Sequence, residues 1–338
     1  MPVTVIVGGQ FGSEGKGKVA HFFAREMGAT VAIRVGGPNS GHTVIGPNGN
    51  PIIFKQLPTA ALLPDVICVL PAGSYIQPSI LLDEIRLAGL GNSRVLIDPN
   101  AVIITERELV AEQGSGLGAA IGSTDSGTGA AVVARIRRSR EIRFAREEDA
   151  LRPYVQSVTP FLRDRLDKNQ RVLVEGTQGF GLSLLHTPHY PFATSRDTTA
   201  AGFVAEAGLS PLDVDDVVMV IRAFPIRVPG HSGPLPNETT WEEITQESNS
   251  STPLSELTSV TRKQRRIARF DPAIVRLAIA HNRPTRIVLN HLDYLDSEGI
   301  NLGQLPSKVI KFIKLVEAEI GKEVNYVGYN RTNISSFA

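Results

Sequence analysis

An α/β fold is predicted by three features of the sequence: one large domain over residues 1–338, built around a mostly parallel central sheet. Short β-branched runs alternate with segments of helical periodicity, the pattern of strands joined by crossover helices. The first run ends in Gly8-Gly9 and passes through a glycine- and lysine-rich loop into a helix, which is a P-loop-type phosphate-binding arrangement. Long polar loops interrupt the alternation, such as the proline-bearing stretch Gly230 to Ser251, and read as substrate loops rather than linkers.

The elements follow in order. Val3 to Val7 is a buried strand, Lys18 to Met27 a helix and Thr30 to Val35 a second strand, which runs into a polar loop at residues 36–41. Val66 to Leu70 is a strand, and Ile80 to Leu87 has helical apolar spacing. Arg94 to Ile97 and Val102 to Ile104 are strands, and Val132 to Arg138 continues a helix begun near Gly129. Val172 to Val174 enters the loop Glu175-Gly176-Thr177-Gln178-Gly179, and Val217 to Ile221 is strand-like. Trp241 to Glu247 is a short helix with Thr239 or Thr240 as N-cap. Asp271 and Pro272 open a helix to His281, because proline at the first helical position needs no amide partner. Arg286 to Leu289 is a strand. Lys308 to Ile320 sets Val309, Phe312, Ile313, Val316 and Ile320 on one helical face.

The composition narrows the function classes. A net charge of +1 offers no electrostatic footprint for nucleic acid or an anionic membrane. No apolar stretch is long enough to span a bilayer, and Met1 leads straight into a strand without a basic, apolar leader. The expectation is a soluble cytoplasmic protein, in the host cytoplasm if the source is viral. The single cysteine, Cys68, lies in an apolar run and reads as a small buried residue.

Two loops carry the chemistry. In residues 8–18, glycines let backbone N–H groups face a phosphate, the helix start adds its dipole, and Lys16 supplies a point charge. The spacing is not the strict P-loop pattern: five residues separate Gly9 from Gly15, and Gly17 stands where Ser or Thr would bind Mg²⁺. The second loop, residues 34–43, ends in His42, a candidate general acid because a free imidazole titrates near neutrality.

Together these loops resemble the adenylosuccinate synthetase family, from Val5 to about Thr332. The resemblance is carried by residues 12–18 and 37–43, Leu70-Pro71-Ala72-Gly73, Ile121-Gly122-Ser123-Thr124, residues 175–179, 190–195 and 233–238, and Gly328-Tyr329-Asn330-Arg331-Thr332. It implies a ligase. The 6-oxygen of a purine nucleotide is phosphorylated by NTP with Mg²⁺, and L-aspartate then displaces the phosphate through its amine. Lys16 would hold the γ-phosphate, and His42 would stabilise or protonate the transferring oxygen, with Gln178 also in the catalytic group. The donor would lie against Gly12, Glu14, Gly15, Gly17, Lys18, Gly41 and Thr43, with Asn290, Asp293 and Gly328 toward its base. The Gly41 carbonyl and Ser13 would face Mg²⁺. Asn39, Ser123, Thr124, Gln178 and Thr194 match positions that hold the acceptor nucleotide. Arg138 matches an arginine donated across a homodimer interface. Val260, Thr261, Arg262, Lys263 and Arg265 resemble the aspartate-binding loop, where arginine grips carboxylates in a fork.

Two departures bear on specificity. Serine stands at position 13, where most members have the aspartate that takes the purine N1 proton. A hydroxyl is no ordinary base near neutral pH, but a small neutral group leaves room for a guanine 2-amino group and can accept from it. A bacteriophage branch of the family carries such a change and makes the precursor of the 2-aminoadenine deoxynucleotide from dGMP. The expectation is therefore dGMP as acceptor, with IMP as the alternative. The second departure is Asn290-His291-Leu292-Asp293, where the family usually has Lys-Leu-Asp. It makes ATP or dATP a donor to test beside GTP. A degenerate nucleotide-binding switch is the competing class, and retention of the basic segment at residues 261–266 speaks against it.

Overall fold

The computed structural model describes residues 2–258, 263–297, 299 and 305–337. Its centre is a sheet of nine strands among these residues. β1 (Val3–Gly8) lies in the middle, parallel to Val172–Glu175 on one side and Val214–Arg222 on the other. Beyond Val172–Glu175 come β2 (Val31–Arg34), Ile67–Leu70 and Val95–Ile97, and beyond Val214–Arg222 come Arg286–Asn290 and Tyr326–Tyr329, all parallel. The far edge strand, Asn333–Ser336, turns back antiparallel. The α/β class expected from the alternation is the observed one.

The pleat explains why these strands are apolar throughout. Val3, Val5 and Val7 point into one core, which also holds Val158, Leu162, Phe203, Val275, Ile313 and Val316. Ile6 points the opposite way and meets Val19, Phe23 and Ala24 of α1 (Lys16–Glu26), together with Val218 and Val288. Helices thus cover both faces, as a parallel sheet requires when its crossovers are helical. Phe23 is 2% exposed and meets Tyr326 edge-on at 5.1 Å. Truncating such a buried ring to alanine costs about 3–5 kcal/mol.

Helix starts follow local chemistry. Asp271 caps Pro272–Asn282 by accepting from the amide of Ala273 at 3.0 Å, and Thr240 caps Trp241–Glu247 by accepting from Glu243 at 3.1 Å. Among the described residues no helix is long and apolar enough to cross a membrane.

Candidate active site

The carboxyl ends of the parallel strands meet along one edge of the sheet, where open α/β folds bind ligands. Their last residues here are polar yet buried: Arg34, Glu175, Arg222 and Asn290. A cleft of about 1800 Å³ opens above them.

The phosphate loop is held open by a carboxylate beneath it. Glu14, fully buried, accepts from the backbone N–H of Gln10 at 3.1 Å and of Gly12 at 2.9 Å, and its second oxygen meets Lys16 Nζ at 2.6 Å. It therefore shapes the loop from below and does not line the cleft, whereas Gly12, Ser13, Gly15, Lys16, Gly17 and Lys18 do. α1 starts without a side-chain cap or an acidic residue in its first turn, unlike the capped helices at Thr240 and Asp271. An uncapped N-terminus keeps its amides available to an anion. Gly15 sits at φ +88°, a left-handed conformation that glycine alone adopts freely. Gly17 has another reason: a Cβ there would lie 2.9 Å from both His42 Cβ and the Thr43 carbonyl oxygen. The Ser or Thr of a strict P-loop does not fit, so the missing hydroxyl is a steric consequence of packing α1 against the second loop.

That second loop leads into the hairpin β3 (His42–Ile45) and β4 (Pro51–Phe54). His42 is 7% exposed, with its Nδ1 at 2.5 Å from Glu175 Oε1. Arg34 Nη1 lies 2.6 Å from Nδ1 and 3.1 Å from Nε2. The other Glu175 oxygen accepts from the amide and the hydroxyl of Thr59, both at 2.8 Å. Burial, aided by the Arg34 charge, pushes His42 down to about 3. Burial alone would raise Glu175, but the hydrogen bond from His42, the charge of Arg34 and the amide of Thr59 hold it below the usual carboxylate value. The ring is therefore neutral, with Nδ1–H donated to Glu175, and the premise that His42 titrates near neutrality does not hold in this setting.

The residues expected to hold the acceptor, Asn39, Ser123, Thr124, Gln178 and Thr194, line the same cleft, with Gly41 and Thr43 beside them. Asn39 Oδ1 is buried without a hydrogen-bond partner among the described residues, which is costly unless a ligand donates to it. Ser123 is fixed by donating to Glu112 at 3.1 Å, while Glu112 also accepts from the amide of Gly129 at 2.9 Å. Arg138 lies just past the helix Thr128–Ile136, exposed, at φ 56°. Its neighbours Arg137 and Ser139 line the cleft but Arg138 does not.

Of the residues expected near the donor base, Asn290 donates through Nδ2 to the carbonyl of Glu14 at 2.8 Å, and its Oδ1 packs where a Cβ on Gly328 would sit 1.7 Å away. Asn290 and Gly328 thus lie under the cleft, and His291 and Asp293 line it. His291 Nδ1 and Asp293 Oδ1 are buried without partners among the described residues. Burial, with Arg222 nearby, holds His291 well below its usual value, and burial raises Asp293. Lys18 is lowered to about 8 by burial, against the pull of Asp293.

Of the basic segment, Lys263 and Arg265 line the cleft, while Val260, Thr261 and Arg262 lie outside the described residues. For a metal, no group of three His, Cys, Asp or Glu side chains able to hold an ion occurs among the described residues. The oxygen donors present, the Ser13 hydroxyl and the Gly41 carbonyl, line the cleft beside the phosphate loop. Hard oxygens with room for phosphate and water suit Mg²⁺, which rarely needs an all-protein cage.

Sequence reasoning gave no role to Arg34, Thr59, Glu175, Arg222 or Glu256. The available signal is a single charged residue closing an otherwise apolar strand, as in Val31–Arg34 and Val172–Glu175.

Comparison with known proteins agrees with this geometry. The family model described as "Adenylosuccinate synthetase" matches residues 5–149 and 139–303. The chain is 34% identical over 334 residues to the adenylosuccinate synthetase of Pyrococcus horikoshii, covering 97% of this chain and 95% of that protein. It is 35% identical to that of Methanococcus aeolicus, covering 97% and 96%. Among solved structures, the cyanophage S-2L succinoaminodeoxyadenylate synthetase (PurZ) bound to dGMP, and to dATP as an energy donor, superposes with a TM-score of 0.85 at 30% identity, covering 99% of this chain and 95% of that one. Adenylosuccinate synthetase from Plasmodium falciparum superposes with a TM-score of 0.85 at 20% identity over the full length of both chains, a likeness of fold. On this fold, with this cleft and these matches, the chain belongs to the adenylosuccinate synthetase family of carbon–nitrogen ligases.

Proposed function

We propose that this ligase joins L-aspartate to C6 of dGMP, giving the N6-succino derivative of 2-amino-2′-deoxyadenylate. The observation that carries the reading is Ser13. It is exposed in the cleft at φ 56°, a left-handed conformation that aspartate and asparagine tolerate better than serine. The backbone does not favour serine there, so the side chain is what the position uses. A hydroxyl accepts from a guanine 2-amino group and is compact enough to admit it. Similarity to the cyanophage enzyme bound to dGMP and dATP supports the same reading.

In the first step Lys16 and the loop amides hold the γ-phosphate; the purine 6-oxygen attacks it, the bond to the β-phosphate oxygen breaks and the nucleoside diphosphate leaves, while the N1 proton passes to solvent water because Ser13 is no base. Mg²⁺, when bound through the Gly41 carbonyl and Ser13, supplies charge for the transferring phosphoryl group. His42 is neutral until an anionic donor arrives. The added negative charge raises its proton affinity, so the ring takes up a proton from solvent, and Glu175 stabilises the imidazolium beside the transferring oxygen. Asn39, Ser123, Thr124, Thr194 and Gln178 orient the nucleotide. Arg138 reaches a second subunit, and the exposed Val133 and Ile136 on its helix suit a homodimer contact. In the second step Arg262, Lys263 and Arg265, with Val260 and Thr261, hold the aspartate carboxylates while its amine displaces phosphate. For the donor, Asp293 Oδ1 and the ring nitrogen Nδ1 of His291, both without partners among the described residues, suit an adenine amino group and ring, which supports ATP or dATP beside GTP.

The archaeal relatives, named adenylosuccinate synthetase, support a second reading with IMP and GTP. The test is to incubate the enzyme with L-aspartate, each of dGMP, GMP and IMP, and each of ATP, dATP and GTP, and to identify products by mass. We expect a higher kcat/KM for dGMP than for IMP, narrowed or reversed in Ser13→Asp. Efficient use of IMP with dGMP untouched would establish the second reading.

A further inference from the structure

We propose that Glu256 is a positioning residue that ties the aspartate-binding segment to the phosphate loop. Its carboxylate sets the geometry of the two sites together. The inference rests on the reading of residues 260–265 as that segment.

The connection runs through Arg222, which closes the strand Val214–Arg222 and is 0% exposed. Arg222 is fastened to the start of the phosphate loop: its amide donates to Gln10 Oε1 at 2.9 Å and its carbonyl accepts from Gln10 Nε2 at 3.1 Å. One guanidinium nitrogen, Nη1, donates to the carbonyl of Ser13 at 2.8 Å. The other, Nη2, makes a close ion pair with Glu256, and Tyr294, from the donor-base side, donates its hydroxyl to the same carboxylate at 3.0 Å. Glu256 is at the same time the foot of the basic segment. Its carbonyl accepts from the amide of Arg265 at 2.9 Å, Leu257 bridges Gln264, and the amide of Thr258 donates to the carbonyl of Lys263 at 2.9 Å. Trp241 braces the returning chain by donating to the carbonyl of Arg265 at 2.7 Å. The segment is therefore anchored at its base, and the anchor holds the cation that holds the Ser13 carbonyl. A carboxylate used only for stability could pair with Arg222 from anywhere. This one belongs to the chain that presents Lys263 and Arg265 to the cleft.

The test compares wild type, Glu256→Gln and Glu256→Asp. Glu256→Gln keeps the size but loses the charge on Arg222; Glu256→Asp keeps the charge but is one methylene shorter. We expect Glu256→Gln to raise the KM for L-aspartate at least tenfold and Glu256→Asp to raise it several-fold. Donor affinity without aspartate, titrated with a non-hydrolysable ATP analogue, should stay within about twofold. Titration of dGMP with and without L-aspartate should show mutual tightening in wild type that Glu256→Gln abolishes. An unchanged KM for aspartate in both variants would overturn the proposal. So would a uniform rise in all three KM values that tracks a loss of Tm, since that is the signature of a merely structural pair. If wild type forms no aspartate-dependent product with any of the nucleotides, the reading of the segment fails and the proposal fails with it. A working wild type with indifferent Glu256 variants removes the proposal alone.

Discussion

Replacing Glu175 by glutamine preserves shape and removes one acceptor and one charge at the centre of the site. Four donors converge on this carboxylate: His42 Nδ1 at 2.5 Å, the Thr59 amide and hydroxyl at 2.8 Å each, and Arg34 Nη1 at 3.5 Å. An amide has one acceptor oxygen. The backbone N–H of Thr59 cannot change its nature, so the oxygen turns to Thr59 and the NH₂ faces His42. The imidazole must then accept on Nδ1 and carry its proton on Nε2, and the group that would stabilise an imidazolium is gone. Arg34, 3% exposed, loses its nearest counter-charge. Breaking a buried ion pair by removing one partner costs about 3–5 kcal/mol, which lowers Tm by roughly 4–7 °C for a chain of this size. Turnover should fall on the order of 10²–10⁴-fold, the range for losing a positioned proton-transfer group. The assay is kcat with saturating nucleotides and aspartate at a temperature where circular dichroism shows the variant folded, with donor affinity measured separately. A folded variant whose kcat stays within threefold of wild type would refute the coupling of Glu175 to catalysis and leave it a structural residue.

Lys16→Ala should lower kcat by about 10²-fold or more with modest loss of donor affinity, because its charge matters most as charge develops in the transition state; a near-normal kcat would reject the phosphate-loop role. Gly17→Ser, which restores a P-loop hydroxyl, should destabilise by about 1–3 kcal/mol and not improve activity, because the new Cβ collides with His42 and Thr43; an unchanged denaturant midpoint would contradict this. His42 gives a pH signature. Its folded value of about 3 lies below the ordinary 6.5, so below pH 6.5 the unfolded chain binds a proton that the folded chain refuses. Stability from this group is full above pH 6.5 and declines by about 1.4 kcal/mol per unit as pH falls toward 3; urea midpoints from pH 7 to 5 should fall less steeply in His42→Asn, and an identical slope would refute it. Glu256 has the opposite origin and the same direction: burial pushes it up, but the charge and hydrogen bond of Arg222 together with its other basic neighbours outweigh that and depress it to about 2. Its contribution is present above about 4.5 and lost as pH falls toward 2, so Glu256→Gln should be less acid-sensitive than wild type below pH 4.5.

The sheet was legible because its strands are short apolar runs with two buried faces, and Asp271-Pro272 marked a helix start that the structure keeps. α1 begins two residues before the expected Lys18, because the left-handed Gly15, not a side-chain cap, sets the turn. The helices Val158–Asp167 and Ala200–Ala207 escaped notice. One contains Pro160 in its first turn, and the other is built of small residues whose only clear sign is the Thr199 cap, donated to by Gly202 at 3.2 Å. The hairpin His42–Ile45 and Pro51–Phe54 gives no clear sequence signal, since its strands are four residues each and part of each is exposed. Cleft-lining residues such as Lys16, Asn39, His42 and Thr194 were visible because they cluster in local motifs. The supporting pairs were not, since no local pattern joins Arg222 to Ser13 across 209 positions or Glu175 to His42 across 133.

The contact of Gly17 with His42 has a consequence for how such an enzyme changes substrate over evolutionary time. With no side chain between them, the helix that carries the phosphate loop and the hairpin that carries His42 form one rigid body. The distance from the phosphate loop to the His42 ring is then set by backbone packing and not by the side chain at position 13. Position 13, on an exposed left-handed bend of the loop, lies outside that body. On the function proposed above, a change of side chain at position 13 alters the acceptor without moving the phosphate loop against His42, so acceptor choice becomes a separately inherited trait.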